Sequence, residues 1–127
     1  MHEQSWNGTR ATAASRVDLH CHTTASDGGL SPKDLVARAA DLGIEVLAIT
    51  DHDTTEGVPA ALAEGQRQGM VVVPGVEISA VSGREEIHLL GHFVDPDHAG
   101  LQTLLARARE ARRTRARKML DRLAEQG

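Results

Sequence analysis

The pattern of apolar and polar positions in residues 16–73 predicts three strands separated by two helices. Residues 16–20 alternate between apolar and polar side chains, whereas residues 70–73 are continuously apolar and residues 44–49 are apolar except for Glu45. Alternation is typical of a half-exposed strand, and short apolar runs are typical of buried parallel strands. The order β-α-β-α-β predicts a parallel sheet with right-handed crossovers, either open or closed into a barrel. We expect the third strand to end at Pro74-Gly75.

Capping residues give the first helix a definite start and end. Ser31 suits the N-cap, Pro32 the first helical position and Asp34 the acidic position of a capping box. Gly43 is placed to end this helix. Its buried stripe is expected at Leu35, Ala39 and Leu42. The second helix is predicted over Thr55–Gly69.

The rest of the chain predicts a hairpin or meander followed by one long helix. Residues 76–81 and 86–94 are strand-like and are separated by Ser82-Gly83. The helix is expected from about Gly100 to the end. Its apolar stripe is predicted at Leu101, Leu104, Leu105, Ala108, Ala116, Met119, Leu120 and Leu123.

Composition indicates a single globular domain over residues 16–127, preceded by a disordered leader over residues 1–15. The chain has 127 residues, of which 40% are hydrophobic and 25% charged. One cysteine, Cys21, excludes an internal disulfide and favours a reducing compartment. The sequence has neither an apolar run of membrane length nor a secretory h-region. We therefore expect a cytoplasmic protein with no membrane partner.

Charge divides the chain into an acidic part and a basic end. Residues 1–100 hold 6 basic and 15 acidic side chains, a net charge of −9. Residues 101–127 hold 8 basic and 3 acidic side chains, a net charge of +5. Bound cations in the acidic part would offset much of its charge.

Six imidazole and carboxylate side chains lie in short motifs near the predicted strand ends. Imidazole and carboxylate together hold divalent transition metals, and six such groups exceed the needs of one ion with an open position. We therefore expect two or three divalent metals (Mn, Fe or Zn), an arrangement typical of phosphoester hydrolysis. The candidate ligands, which are also the candidate catalytic residues, are His20, His22, Asp27, His52, Glu77 and His88.

The expected positions of these residues explain why they should meet. His20 and His22 are two residues apart on a strand, so both imidazoles can face one ion. His52 and Glu77 are each expected just past the carboxyl end of a strand, where parallel α/β folds bind ligands. A lone residue of either type is usually a surface group, but motifs at consecutive strand ends are far more specific.

Four segments of the chain resemble the N-terminal half of the PHP (polymerase and histidinol phosphatase) superfamily. They are DLHCHTTASDG, AITDHDT, GVEIS and IHLLGHF. Among its members they are most similar to phosphoesterases that act on nucleoside 3′,5′-bisphosphates and on the 5′ ends of short RNA. The resemblance implies a distorted (β/α)7 barrel and phosphate monoester hydrolysis by a metal-bridged hydroxide. It also implies that His20, His22 and Glu77 hold one metal, Glu77 and His88 a second, and Asp27 and His52 a third.

The superfamily completes its site with a further His and an Asp-x-His pair on later strands, which these 127 residues do not contain. We therefore expect an incomplete barrel that can self-associate through its open sheet edge and lacks full activity alone. A non-catalytic metal-binding module and an inactive fragment of an enzyme are the alternatives. Scarce aromatic residues argue against base stacking, and no specific DNA binding is expected.

Several other residues have both a structural and a functional interpretation. Strand alternation turns Cys21 away from its neighbours, which favours packing over metal binding. His92 shares parity with His88, although Gly91 can break that parity. Asp51 can orient a ligand or cap a strand end. The segment DPDH at residues 95–98 is more typical of a turn before a helix N-cap than of a cation site. The remaining group, which can bind phosphate or RNA but more often forms a solvated face, is Arg107, Arg109, Arg112, Arg113, Arg115 and Arg117.

Overall fold

The computed structural model describes residues 15–127, so the predicted leader over residues 1–15 lies almost entirely outside the described residues. Among the described residues, no helix combines the length and the apolar character that a membrane crossing requires. The elements are β1 (Val17–Cys21), α1 (Pro32–Asp41), β2 (Val46–Ile49), α2 (Val58–Gln68), β3 (Val71–Ser82), β4 (Glu85–His92) and α3 (Ala99–Glu125).

The four strands form one sheet in the order β1-β2-β3-β4. The first three strands are parallel, which confirms the predicted β-α-β-α-β arrangement. β4 runs antiparallel to β3, and the hairpin between them turns at residues 83–84. One face of the sheet packs against α1 and α2. That core consists of Val36, Ala39, Leu47, Ile49, Val58, Ala61, Met70 and Val72.

The prediction that a strand ends at Pro74-Gly75 is wrong, because β3 runs through both residues. Pro74 lies opposite Ile49, the last residue of β2, so its missing N–H falls where regular β2 ends. Gly75 then pairs with His92 on the other side of β3. A Cβ atom on Gly75 would lie 2.8 Å from the Ile49 carbonyl oxygen. The Pro-Gly pair therefore marks a change of pairing partner within one strand.

The start of α1 is as predicted, but one residue of its buried stripe is wrong. Ser31 is the N-cap, and its hydroxyl accepts a hydrogen bond from the Asp34 amide at 3.1 Å. Val36 and Ala39 are the buried residues of the helix, whereas Leu42 is 52% exposed. Leu42 is the C-cap, where the chain leaves the helix axis, so its side chain turns away from the core.

α2 begins three residues later than predicted, because residues 56 and 57 form a turn before it. The Thr55 carbonyl accepts a hydrogen bond from the Val58 amide at 3.0 Å, and Gly57 is the N-cap. This turn continues the loop that follows β2, which carries His52. The later start of α2 leaves more residues for that loop.

α3 begins after His98, whose ring accepts a hydrogen bond from the Leu101 amide, so the predicted turn and N-cap at residues 95–98 are confirmed. Its predicted apolar stripe is largely wrong. Leu105 is fully buried, but Leu104, Met119, Leu120 and Leu123 are exposed. Beyond Leu105, the half-buried positions of the helix are Ala108 and three arginines, Arg109, Arg112 and Arg115.

Candidate metal centre

The structure brings together all six residues predicted to bind metal. Their ligand atoms form three overlapping groups, and within each group the atoms lie within 4.8 Å of one another. Neighbouring imidazole rings have centroids 4.5–5.1 Å apart. The groups are His20, His22 and Glu77; His22, Asp27 and His52; and His52, Glu77 and His88.

Five parts of the fold supply these side chains: β1, the loop after β1, the loop after β2, β3, and β4, which carries His88. His20 lies in β1, and His22 follows that strand directly. A register shift in β1 between Asp18 and Cys21 accompanies this exit from the sheet. His52 follows β2 and forms an isolated parallel bridge with Glu77. Glu77 lies within β3 rather than just past a strand end, which corrects the prediction, because β3 continues beyond Gly75.

Glu77 is the buried centre of the cluster, with only 4% of its surface exposed. Its Oε2 atom lies 2.9 Å from His20 Nε2 and 2.8 Å from His22 Nε2. Its Oε1 atom lies 2.8 Å from His88 Nδ1. Burial alone would raise the pKa of Glu77, but hydrogen bonds with His20 and His88 outweigh burial and lower it. Glu77 is therefore kept as a carboxylate shared between two sides of the site.

Asp27 reaches the cluster because its loop folds back sharply. The Gly28 amide donates to the Thr23 carbonyl at 2.8 Å, and a Cβ atom on Gly28 would lie only 2.2 Å from the His22 carbonyl oxygen. Asp27 Oδ1 lies 2.7 Å from His22 Nδ1, and Oδ2 lies 3.4 Å from His52 Nε2. The hydrogen bond with His22 is the main reason why the pKa of Asp27 is lowered.

Asp51 supports the same loop from beneath. It is 1% exposed and accepts hydrogen bonds from the Thr23 amide at 2.7 Å, the Thr23 hydroxyl at 2.8 Å and the Ser26 hydroxyl at 2.6 Å. Asp51 was expected either to orient a ligand or to cap a strand end. The structure supports the first role, in an indirect form. It fixes the loop that carries Asp27 rather than contacting an imidazole.

The donor arrangement fits divalent metal binding. His52 Nδ1 is buried, has no hydrogen-bond partner among the residues that the structure describes, and lies 3.7 Å from Glu77 Oε2. His20 Nε2 and His22 Nε2 lie 3.1 Å apart and both face the same carboxylate oxygen. A neutral imidazole has one lone-pair nitrogen, and a buried lone pair without a partner is costly. A cation among these atoms would satisfy them together.

Two other residues weighed from the sequence lie outside the cluster. Cys21 packs against the α1–α2 core, and burial, helped by a hydrogen bond to Asp18, raises the pKa of its thiol to about 12. Such a thiol is unsuited to metal binding. His92 Nε2 hydrogen-bonds the Leu19 carbonyl at 2.8 Å and belongs to none of the three groups.

The sequence interpretation missed Asp53, which lies directly beside His52. Asp53 is fully buried and has a left-handed backbone with φ of 52°. Its Oδ1 atom accepts a hydrogen bond from the Ser79 amide at 2.8 Å. Its buried Oδ2 atom accepts no hydrogen bond from the described residues, but it forms an ion pair with Arg112 Nη2 at 3.0 Å. The available signal was the segment Thr-Asp-His-Asp, in which acidic residues flank the histidine on both sides.

The sequence and the fold are similar to those of known phosphoesterases. Over 108 residues the chain is 48% identical to the 5′-3′ exoribonuclease Rnm of Salmonella typhimurium, covering 84% of this chain and 37% of that protein. Over 103 residues it is 42% identical to the 3′,5′-nucleoside bisphosphate phosphatase of Chromobacterium violaceum, covering 81% and 36%. The chain thus spans little more than a third of the length of these relatives.

A solved structure shows the same fold. A protein of Bifidobacterium adolescentis, described as a metal-dependent phosphoesterase, superposes with a TM-score of 0.78 and 38% identity. The match covers 88% of this chain and 39% of that one. The sheet is therefore a curled half-barrel, as the sequence predicted.

The PHP domain family matches residues 18–124, nearly the whole of the part that the structure describes. This match includes all six clustered residues and the helix that packs beside them. The predicted resemblance is thus confirmed, and the chain belongs to the PHP domain family.

Proposed function

We propose that this chain forms the N-terminal part of a metal-dependent phosphoesterase that hydrolyses phosphate monoesters of nucleotides or of short RNA 5′ ends. The observation that carries the proposal is the convergence of four imidazoles and two carboxylates, those of Asp27 and the buried Glu77, in three overlapping ligand groups. The relatives support it, because one is named an exoribonuclease and another a nucleoside bisphosphate phosphatase.

The six clustered residues would hold two or three divalent cations, as Mn, Fe or Zn. In this proposal Glu77 serves two neighbouring groups, since one of its oxygens faces His20 and His22 and the other faces His88. Bound cations would supply Lewis acidity that activates water and stabilises charge on the phosphoryl oxygens. The carboxylates of Glu77 and Asp27 provide negative charge close to those cations, and both have lowered pKa values.

Two of the imidazoles, His22 and His88, have a carboxylate beside the ring nitrogen that faces away from Glu77. His22 is held by Asp27 through Nδ1, which leaves Nε2 directed at Glu77. His88 is held by Glu86 through Nε2, at 3.4 Å, which leaves Nδ1 directed at Glu77. A carboxylate on the outer nitrogen fixes the tautomer and raises the basicity of the inner one.

A reducing compartment such as the cytoplasm remains part of the proposal because the chain has one cysteine.

The test uses a longer protein that carries this chain, with phosphate release from a nucleoside 3′,5′-bisphosphate as the readout. Turnover should disappear in excess chelator and return when Mn²⁺ is added. Retained turnover in excess chelator would exclude the proposed mechanism. Titration of the present chain with Co²⁺, followed by its absorption spectrum, tests the metal site separately from the reaction.

A further inference from the structure

Three arginines of α3 form a row on the face that meets the sheet. Arg109, Arg112 and Arg115 are three residues apart, so they lie along one side of the helix. All three are half-buried, whereas Arg113 and Arg117 on the same helix are exposed. The row therefore contacts protein, and the expectation of a uniformly solvated arginine face does not hold for these three residues.

Arg112 and Arg109 contact the loop that carries His52. Arg112 Nη2 lies 3.0 Å from Asp53 Oδ2 and also contacts the Ser79 hydroxyl. Arg109 Nη1 donates to the Asp53 carbonyl at 2.5 Å. Asp53 directly follows His52, a candidate ligand. Through these two arginines, α3 therefore contacts both the side chain and the backbone of Asp53.

Arg115 makes a more exposed contact beside His88. Its Nη2 atom lies 3.0 Å from Glu86 Oε1. The same carboxylate oxygen lies 3.4 Å from His88 Nε2, and His88 Nδ1 faces Glu77. A chain of contacts thus runs from α3 through Glu86 to His88.

We propose that Arg112 and Arg115 are positioning residues of the metal centre, acting through Asp53 on His52 and through Glu86 on His88. This inference rests on the proposed metal centre. Neither guanidinium belongs to the three ligand groups. Arg112 contacts Asp53, which is bonded to His52 through the backbone. Arg115 contacts Glu86, which contacts His88.

The physical reason is strongest at Asp53. A fully buried carboxylate needs compensating partners, and a residue with φ of 52° needs its surroundings to hold it in that conformation. The Asp53 amide donates to the Glu77 carbonyl at 2.9 Å, which joins the loop to β3. Without Arg112, Asp53 Oδ2 would lose its ion pair, and of the three arginines only Arg109 would still hold Asp53, through its backbone carbonyl. His52 would then sample more orientations relative to Glu77.

The first experiment measures this loop directly in the metal-free chain. Amide hydrogen exchange at Asp53 and Ser79 reports the two hydrogen bonds that hold the loop to β3. Arg112→Met should accelerate exchange at both amides by about tenfold, a tenfold change being 1.4 kcal/mol of opening free energy. Arg113→Met, a matched change at an exposed position, should leave both rates unchanged. Equal rates in the Arg112→Met variant and the wild type would overturn the role assigned to Arg112.

The second experiment measures Co²⁺ affinity by calorimetry in the same chain. Arg112→Met and Arg115→Met should each weaken binding by about 10–100-fold, the effect typical of groups that orient metal ligands. Arg113→Met and Arg117→Met are the controls. Arg112→Lys keeps the charge and should restore part of the affinity. Arg112→Met should have little further effect in an Asp53→Asn background, because both changes break the same pair.

The two experiments separate this inference from the proposed function. A wild-type chain that binds no Co²⁺ would contradict the proposed metal centre, and with it the effect of the arginines on metal binding. A wild-type chain that binds Co²⁺ as tightly as its Arg112→Met and Arg115→Met variants would overturn the positioning role and leave the metal centre intact.

Discussion

Glu77 is the residue on which the candidate centre depends most, because it is buried and contacts imidazoles from three different elements. We expect Glu77→Gln to weaken Co²⁺ binding by more than the roughly 10–100-fold typical of groups that only orient a ligand. An amide presents one acceptor where the carboxylate presents two charged oxygens. Calorimetry on the chain measures the effect, and Glu85→Gln at the exposed hairpin end is the control. Similar affinities for the Glu77→Gln variant and the wild type would remove Glu77 from the site.

A substitution of Cys21 tests whether its sulfur belongs to the ligand set. Its thiol packs against the α1–α2 core and has a pKa of about 12, so it is protonated at neutral pH. Cys21→Ser should therefore leave Co²⁺ affinity within about a factor of two, far below the 10–100-fold expected for ligand-orienting groups. A cobalt spectrum that loses intensity at the thiolate charge-transfer wavelengths in the Cys21→Ser variant would show that sulfur is a ligand after all.

Glu64 gives the fold a pH dependence that is independent of the metal centre. This buried carboxylate accepts hydrogen bonds from Arg67 at 2.6 Å and from Gln68 at 2.7 Å, which lower its pKa from 4.5 to about 2. A folded-state pKa below the unfolded value stabilises the protein above the unfolded value and loses that effect as pH falls. Glu64→Gln should therefore lower the melting temperature at pH 7, and the difference should shrink between pH 4.5 and 2.

Melting curves of both proteins across that range measure the difference, with the exposed Glu56→Gln as the control. A difference that stays constant down to pH 2 would show that the ion pair does not stabilise the fold.

At the residue scale, the candidate ligands could be found from the sequence because each lies in a local motif beside a strand. Asp53 could not be assigned a role in that way. Its partners Ser79 and Arg112 are 26 and 59 positions away, and its conformation has φ of 52°. Only the packing of α3 against the sheet brings those groups together.

At the scale of elements, the β1–α1 loop is a compact unit that carries Asp27 to the cluster. Gly28 lies against the backbone of His22 and Thr23, whereas the neighbouring Gly29 has no atom within 4 Å of an added Cβ. Gly28→Ala should destabilise the chain by about 1–3 kcal/mol, the usual cost of overpacking. It should also weaken Co²⁺ binding, because Asp27 would move away from His22.

Urea unfolding and calorimetry measure the two effects of Gly28→Ala, and Gly29→Ala is the matched control. If both alanine variants behaved alike, the close approach of Gly28 to the backbone would not be needed for the position of Asp27.

Elements whose limits depend on neighbouring residues could be predicted from the sequence, whereas those that depend on distant partners could not. The N-cap at Ser31 and the end of α1 depend on nearby residues and were predicted from them. β3 was divided at Pro74-Gly75 because turn residues usually end strands. Its continuation depends on a second partner, β4, which pairs from Gly75 onward. In α3, the half-buried arginines could not be predicted from the apolar periodicity, because their partners Asp53 and Glu86 lie on distant loops and strands.

We expect Arg113 and Arg117 to take no part in substrate binding, because a solvated helix face is the commoner meaning of such arginine-rich segments. Arg113 and Arg117 are exposed, away from the row that meets the sheet. Changing both to Gln in a longer, active protein should leave the KM for a mononucleotide nearly unchanged, because surface charges in water interact weakly. Steady-state kinetics at two salt concentrations measure this. A large rise in KM with strong salt dependence would identify these arginines as a phosphate or RNA contact.

At the scale of the whole molecule, the basic end of the chain folds back onto the acidic part. The basic α3 packs through Arg112 and Arg115 onto Asp53 and Glu86, which lie beside the acidic cluster. Residues 1–100 retain a net charge of −9, so the site region attracts cations before any specific contact forms. The same helix therefore offsets part of the acidic charge and connects two sides of the candidate centre.

The described fold also exposes a large amount of apolar surface and a strand edge. β1 pairs with β2 on one side only, and Val17 and Leu19 are each 46% exposed. Further exposed apolar side chains are Val81, Ile87, Leu89, Leu90, Phe93, Leu104, Met119, Leu120 and Leu123. Surfaces of this kind usually contact another part of the same protein or another molecule. Relatives whose length this chain covers by little more than a third have further chain available for such contacts.

We therefore expect residues 1–127 expressed alone to self-associate, as the sequence predicted for an open sheet edge. The expected result in light scattering after gel filtration is a mass above 13.6 kDa that rises with protein concentration. Because strand edges bind other edges through backbone groups, charged or proline substitutions weaken such contacts. Leu19→Lys in β1 should shift the distribution toward monomer, whereas Leu120→Lys should do so only if α3 forms the contact. A concentration-independent monomer for the unsubstituted chain would show that the exposed edge and apolar surface do not drive association.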